Sequence, residues 1–288
     1  MHMKNKPKSQ SRRSLTKKLV AFLIPACIGL IFLAWIVVPM GMAVLWSLVN
    51  PDYPWSYPQM FPSNLSLYHW EHVFRYTNIL GAIKNSLVVA SITTIGCAAL
   101  ALPTAYAIGR RRLIGGEAFK IVMLLPMAMP GMAMAIFLGR LFAQWGLSNS
   151  YTGVAMAHIL CTMPLMLRIL TVSFESVPQD IVDAASNLGA SPWHRFKEVY
   201  VPMIVPGLIA GCIFTFIGSM EEFNLSFIIG APTIQTVPTI LYSYLGYNFL
   251  RTNASVVTLI MMVPNIIVLL VTERFIKTEY LGAALGKM

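Results

Sequence analysis

Among the stretches of this chain that run for 19 residues or more without Asp, Glu, Lys or Arg, six are apolar enough to span: Leu19–Pro51 (33 residues), Asn85–Gly109 (25), Ile121–Gly139 (19), Leu141–Leu167 (27), Val199–Met220 (22) and Thr252–Thr272 (21). A charge at the centre of a bilayer costs about 2.5–3.5 kcal/mol on insertion scales, and about 20 apolar residues carry a helix across. The spacing therefore predicts an all-α integral membrane protein with six transmembrane helices. Composition agrees, because hydrophobic residues make up 57% of the 288 and charged residues 11%, against roughly 25% charged in a soluble domain. The fourth run opens with Gln144, Gly146, Ser148, Asn149 and Ser150, a turn, so its helix is expected from Tyr151 to Val172. The apolar stretch Phe223–Gly230 is too short to cross and is expected to extend the fifth helix or pack at its outer end.

A formal charge of +10 could suggest nucleic acid as a partner, but the positions of the basic residues exclude that reading. Seven Lys and Arg precede the first span, and Arg110, Arg111 and Arg112 form a block between two spans. Juxtamembrane clusters of this kind set orientation. With N and C termini cytoplasmic, 17 basic residues fall inside and only Arg75, Lys84, Arg140 and Arg251 outside. The expected organisation is a basic cytoplasmic tail (1–18), a first helix with an outer loop (19–84), a core (85–276) and a short cytoplasmic tail (277–288). The first run is much longer than a signal-peptide apolar region and no small-residue cleavage site closes it, so it reads as an anchor. Pro and aromatic residues crowd the outer loop, among them Pro51, Tyr53, Pro54, Trp55 and Tyr57, which matches an interfacial belt.

Enzymatic and metal readings find little support. The tail Gly282–Met288 falls one residue short of a P-loop and lacks its hydroxyl. Cys27, Cys97, Cys161 and Cys212 are scattered singly, and of the five histidines only His69 and His72 stand at helical-neighbour spacing. No catalytic constellation and no metal site is expected.

The cytoplasmic stretch Ser173–Pro202 is more informative. Ile181, Ala184, Ala185 and Leu188 recur at helical spacing, Pro178 with Asp180 and Asp183 suits a helix start, and Gly189 suits its end. A turn at Ser191-Pro192 then leads into a second helical piece through Phe196 and Val199. Acidic residues replace the basic face of a lipid-bound helix, so docking against another protein fits better. Asp183-Ala184-Ala185, Gly189 and Val199-Tyr200-Val201-Pro202 resemble the E-A-A-x3-G-x9-I-x-L-P signature of permease subunits from bacterial type I ABC importers, with Asp for Glu and Val for Ile and Leu. The resemblance covers roughly Asn85 to Glu273. It implies a multi-pass protein of the bacterial inner membrane that binds no cofactor itself. It also implies a second permease, identical or homologous, two ATPase subunits holding ATP and Mg, and an external solute-binding protein. By the same resemblance Asp183, Ala184, Ala185, Gly189, Ser191 and Pro192 form the ATPase-coupling loop.

Glu221-Glu222 closes a 22-residue uncharged run, and an acidic pair there is costly unless it faces water, a cavity or a partner. Beyond it, Gly230-Ala231-Pro232, Thr236-Val237-Pro238 and Tyr242-Ser243 resemble permeases grouped with polyamine transporters, a pattern that phosphonate permeases share. The resemblance implies an outer gate loop that meets the solute-binding protein and a small organic solute, a polyamine or an aminophosphonate, as cargo, while position in apolar sequence places Glu221 and Glu222, with Asn224, Pro130 and Gly131, as candidates for the pathway and outer gate. Breaks at Pro126, Pro130-Gly131, Pro164 and Pro264 would let the core hinge. The alternative is a secondary transporter driven by an ion gradient through Glu221 or Glu222. It would call for inverted repeats and midplane charges, and the sequence has neither.

In an otherwise Cys-free protein, Ser63→Cys is expected to react with an impermeant maleimide from outside and Ser186→Cys to be protected. Labelling of Ser186→Cys from outside would invert the assigned orientation.

Overall fold

A computed structural model describes residues 8–111, 115–247 and 249–285. Arg112 and the ends of both tails, residues 1–7 and 286–288, lie outside them. Among the described residues there is no strand, only one antiparallel bridge between Val49 and Leu65. Helices α1 (Lys8–Ser47), α3 (Ile79–Arg111), α6 (Tyr151–Glu175), the continuous run Pro192–Glu221 and α11 (Arg251–Leu285) contain five apolar spans. Short helices join them: α2 (Tyr68–Tyr76), α4 (Gly116–Ala128), α5 (Gly131–Gln144), α7 (Gln179–Asn187) and α10 (Val237–Tyr242). Within Pro192–Glu221, α8 (Pro192–Arg195) passes through a π turn, Phe196–Tyr200, into α9 (Val201–Glu221).

Several boundaries extend past the uncharged runs. α3 begins at Ile79 instead of Asn85, and α6 ends at Glu175 instead of Val172. Lys84 and Glu175 sit within reach of water at helix ends, so charge spacing marks the limits of lipid and not those of the helix. α11 likewise continues to Leu285, through most of the stretch read as a tail.

The third run departs most from expectation. Ile121–Gly139 is not one straight crossing but two helices whose axes turn by 100°. Met129 is extended (ψ 141°) and Pro130 caps α5 at φ −57°, ψ 128°. Proline removes an N–H and drives the preceding residue out of the helical region, which accounts for the break. Pro126, Pro164 and Pro264 do not break the chain; each lies inside a continuous helix, as transmembrane helices permit when neighbouring groups satisfy the freed carbonyl. The stretch after α9 does not extend that helix either. Glu222 is extended, and Ser226–Gly230 forms a separate π turn that bonds back through the Ile229 carbonyl to the Asn149 N–H (2.8 Å).

The centre of the protein is α3 against α6 and α9. Along α3, Ala90, Thr93, Cys97, Ala101 and Ala105 are fully buried at three- and four-residue spacing. Small residues let backbones approach where lipid gives no hydrophobic drive to associate. The cytoplasmic half of this core adds Leu170, Phe174, Tyr200 and Ile204. On α9, Gly207 and Gly211 form a G-x-x-x-G stripe facing Ser173 and Met166 of α6. α1 is different: none of its most apolar window is buried, and it packs against α11. At its outer end Trp46 meets Trp55 (4.8 Å between rings), and Trp70 Nε1 donates to Ser47 Oγ at 3.3 Å. His69 pairs with Asn253 Oδ1 at 2.7 Å, and burial holds its pKa below the ordinary imidazole value despite that bond.

A Cβ on Gly207 would overlap the Ser173 hydroxyl and lie 2.9 Å from its Cβ, whereas one on Gly29 of α1 meets nothing within 4 Å. Overpacking costs about 1–3 kcal/mol. Gly207→Leu is therefore expected to lower the melting temperature of the detergent-purified subunit while Gly29→Leu leaves it unchanged; equal midpoints would remove the close α6–α9 contact as a source of stability.

Candidate coupling surface and outer gate

At the cytoplasmic end, Pro178 caps α7 in an extended conformation and Gly189 adopts φ +83°, the left-handed region in which glycine alone is unstrained. The Gly189 N–H bonds to the Ser186 carbonyl and the Ala190 N–H to the Ala185 carbonyl, each at 3.0 Å. Ser191 Oγ accepts from the His194 N–H at 3.2 Å, with Pro192 at the first turn of α8. All six residues singled out for coupling therefore lie on one helix–turn–helix. Asp183 Oδ1 accepts from Gln179 Nε2 at 2.8 Å.

Orientation of α7 is set by Val182, which is 6% exposed and joins the core with Phe174 and Ile204. The face picked out by periodicity points the other way: Ile181 is 46% exposed, Leu188 89% and Trp193 of α8 71%. Beside them Ala185, Leu188, His194, Arg195 and Val199 line a cleft of ≈ 630 Å³. An apolar face on a water-facing loop, with a rigid turn holding it, suits a protein partner.

Arg110, on the last turn of α3, contributes what the sequence did not reveal. Its Nε donates to the Tyr200 hydroxyl (3.2 Å), Nη1 to the Val177 carbonyl (3.0 Å) and Nη2 to Gln179 Oε1 (3.0 Å). The guanidinium also lies 5.1 Å from the centre of the Tyr200 ring. In sequence Arg110 is one of a basic block, and nothing there marks Tyr200 as its partner.

Where α9 ends, the side chains of Glu221 and Glu222 diverge. Glu221 Oε1 accepts from Asn265 Nδ2 of α11 at 3.2 Å, whereas Glu222 Oε1 accepts from the Leu225 N–H at 2.9 Å and caps the following turn. Asn224 packs on the α4–α5 break, its Nδ2 2.8 Å from the position a Cβ on Gly131 would take. Pro130, Gly131 and Asn224 are thus brought together; Glu221 faces another helix. His158, which the sequence gave no role, is wholly buried between Ser219 Oγ (2.8 Å) and Ser226 Oγ (3.1 Å), joining α6 to both sides of the Glu222 break. The segment before α10 is tied to α3, with Asn85 Nδ2 donating to the Gln235 carbonyl (2.8 Å) and the Val237 N–H to Ser86 Oγ (2.9 Å).

Comparison with known proteins defines the class. Residues 100–278 match the family described as "Binding-protein-dependent transport system inner membrane component", and the chain belongs to that family: it is an inner-membrane permease component of the type I ABC importers. The trehalose transport system permease protein SugB of Mycobacterium tuberculosis (strain CDC 1551 / Oshkosh) is 26% identical over 225 residues, 75% of this chain and 80% of the relative. The maltose/maltodextrin permease MalG of Photorhabdus laumondii subsp. laumondii is 27% identical, covering 94% of this chain and 95% of the relative. The molybdenum permease ModB of Haemophilus influenzae is 28% identical, over 67% and 92%. Among solved structures, a chain of a bacterial ABC transporter importing alginate superposes with a TM-score of 0.72 at 15% identity, covering 95% of this chain and 99% of that one. It shares the fold.

Proposed function

We propose that this permease pairs with a second permease, identical or homologous, and with two ATPase subunits that hold ATP and Mg, and that it receives a small organic solute from an external binding protein. In this reading residues 85–276 form the working core between the anchor region 19–84 and the tails 1–18 and 277–288. The loop 173–202 is the coupling element. Asp183, Ala184, Ala185, Gly189, Ser191 and Pro192 shape it, Ala184 and Ala185 by permitting close approach and Gly189 by turning the chain. One observation carries the reading: α7 holds on to its own protein through Val182 and turns Ile181 and Leu188 outward. Membership of a binding-protein-dependent family favours this over transport driven by an ion gradient.

The outer gate in this proposal comprises Pro130, Gly131, Asn224, Glu221 and Glu222. A cationic amine as cargo rests on the carboxylates, since an acidic group beside the pathway would offset a cation's lost hydration. Both carboxylates are hydrogen-bonded, Glu221 to Asn265 and Glu222 to the Leu225 N–H of its own turn; Glu221, the more exposed of the two, is assigned that role. Trehalose, maltose and molybdenum are the cargoes named for the relatives, so the amine is the finer and more exposed part of the proposal.

Ala185→Asp and Gly189→Asp are expected to insert normally but to retain little ATPase subunit on co-purification. A buried unpaired charge costs several kcal/mol, about tenfold for each 1.4 kcal/mol. Wild-type recovery of the ATPase with both variants would refute the coupling role.

Glu221→Gln keeps size and removes charge. In proteoliposomes of the whole complex with its binding protein, it is expected to reduce uptake of labelled polyamines by about tenfold, with Glu222→Gln less affected because its amide oxygen still accepts from Leu225. Wild-type polyamine uptake in both variants, or no polyamine uptake in the wild type, would end the amine proposal.

A further inference from the structure

The coupling loop is joined covalently to two transmembrane helices, α6 before α7 and α9 after α8. The third helix of the central bundle, α3, has no such link. Its last turn reaches the loop through Arg110, whose three nitrogens donate to three acceptors. Those acceptors are the Val177 carbonyl before α7, Gln179 Oε1 in its first turn, and the Tyr200 hydroxyl at the end of the π turn below α9. A guanidinium is a rigid planar fork, so bonds to acceptors on separate elements fix their relative angle as well as their distance. Apolar contacts surround it: Tyr106 meets Tyr200, Phe174 and Phe196 edge-on at 5.4, 5.5 and 5.7 Å. Such contacts keep helices together but can slide. A π turn inside a span is moreover a local irregularity of a kind found at functional hinges.

We infer that Arg110 is a positioning residue that locks the cytoplasmic end of α3 to the start of α7 and the foot of α9, so that displacement of the coupling loop moves the three helices as one body. The inference rests on the proposed contact between α7 and the ATPase. Tyr200 supplies the acceptor at the π turn, and Gln179 and Val177 supply those at the loop. Loss of the fork leaves α7 attached by its two covalent ends while its angle to α3 becomes free.

The test uses the full complex, permeases with ATPase subunits, in a Cys-free background with spin labels at Ile95→Cys on an exposed face of α3 and Asp180→Cys on α7. Ile95 stands about 22 Å along α3 from Arg110 by a rise of 1.5 Å per residue, and Asp180 is next to Gln179, which Arg110 contacts, a separation that pulsed EPR reads. The wild type is expected to give one narrow distance that is the same without nucleotide and after trapping with ATP and vanadate. Arg110→Lys keeps the charge and loses the fork, and Arg110→Gln loses both; each is expected to broaden the distribution and to make it shift on trapping. Tyr200→Phe, which removes one acceptor and keeps the ring, is expected to broaden it less. A role confined to folding would lower the melting temperature without making the distance respond to nucleotide. The inference is overturned if the wild-type distance itself shifts on trapping, or if the Arg110 variants keep the narrow wild-type distance in both states. Co-purification of the ATPase with Ala185→Asp, measured in parallel, separates the two ideas. Retained ATPase there refutes the coupling reading alone, and lost ATPase with unmoved Arg110 variants refutes the lock alone.

Discussion

The close approach of α3, α6 and α9 is the contact on which the rest of this protein depends. Lipid offers no hydrophobic reward for bringing helices together, so association relies on packing that only small side chains allow. Ala90, Thr93, Cys97, Ala101 and Ala105 supply that surface on α3, and Gly207 and Gly211 supply it on α9. Because these helices meet so closely, the loops at their ends have little freedom. The proposed coupling loop lies between α6 and α9, and the segment Gln235–Val237 is bonded to Asn85 and Ser86 near the start of α3.

The residues proposed for coupling and gating gather where helices are interrupted. At Pro130-Gly131 the chain turns by 100° and admits Asn224; at Glu222 an extended residue is stabilised by a carboxylate capping its own following turn; at Gly189 a left-handed residue closes α7. Each interruption frees backbone groups that must be satisfied, and polar side chains collect there for that reason. His158 shows the same rule inside the bundle, where two serines from either side of the Glu222 break engage both ring nitrogens. The polar groups proposed for the gate and those that repair a broken helix are thus partly the same groups.

The two ends differ in how they present themselves. The cytoplasmic end holds a rigid helix–turn–helix with its apolar face outward, while the outer end folds its loops back onto the bundle. α1 stands apart, with its most apolar window unburied and its contacts along α11. A span that buries so little against its own chain contributes anchorage more than core.

Much of this was legible from charge spacing and turn chemistry alone. A charge in lipid is expensive wherever the chain later goes, so uncharged runs report spans without knowledge of packing. Pro178, Gly189, Ser191 and Pro192 act on their own backbone, so the helix–turn–helix and its boundaries could be read directly from the residues. Periodicity likewise isolated Ile181, Ala184 and Leu188 as one face, but which face turns inward was settled by Val182 joining the buried cluster that contains Phe174 and Ile204. Which of the four named proline positions breaks its helix also lay beyond reach, because all six spans contain a proline and, of those four, only Pro130, next to Gly131 and Asn224, interrupts its helix. The partners of Arg110 stand 67 to 90 positions away. Local backbone energetics and the price of charge in lipid are properties of short stretches of sequence; contacts between distant segments exist only once the helices have packed, and the tertiary structure alone decided them.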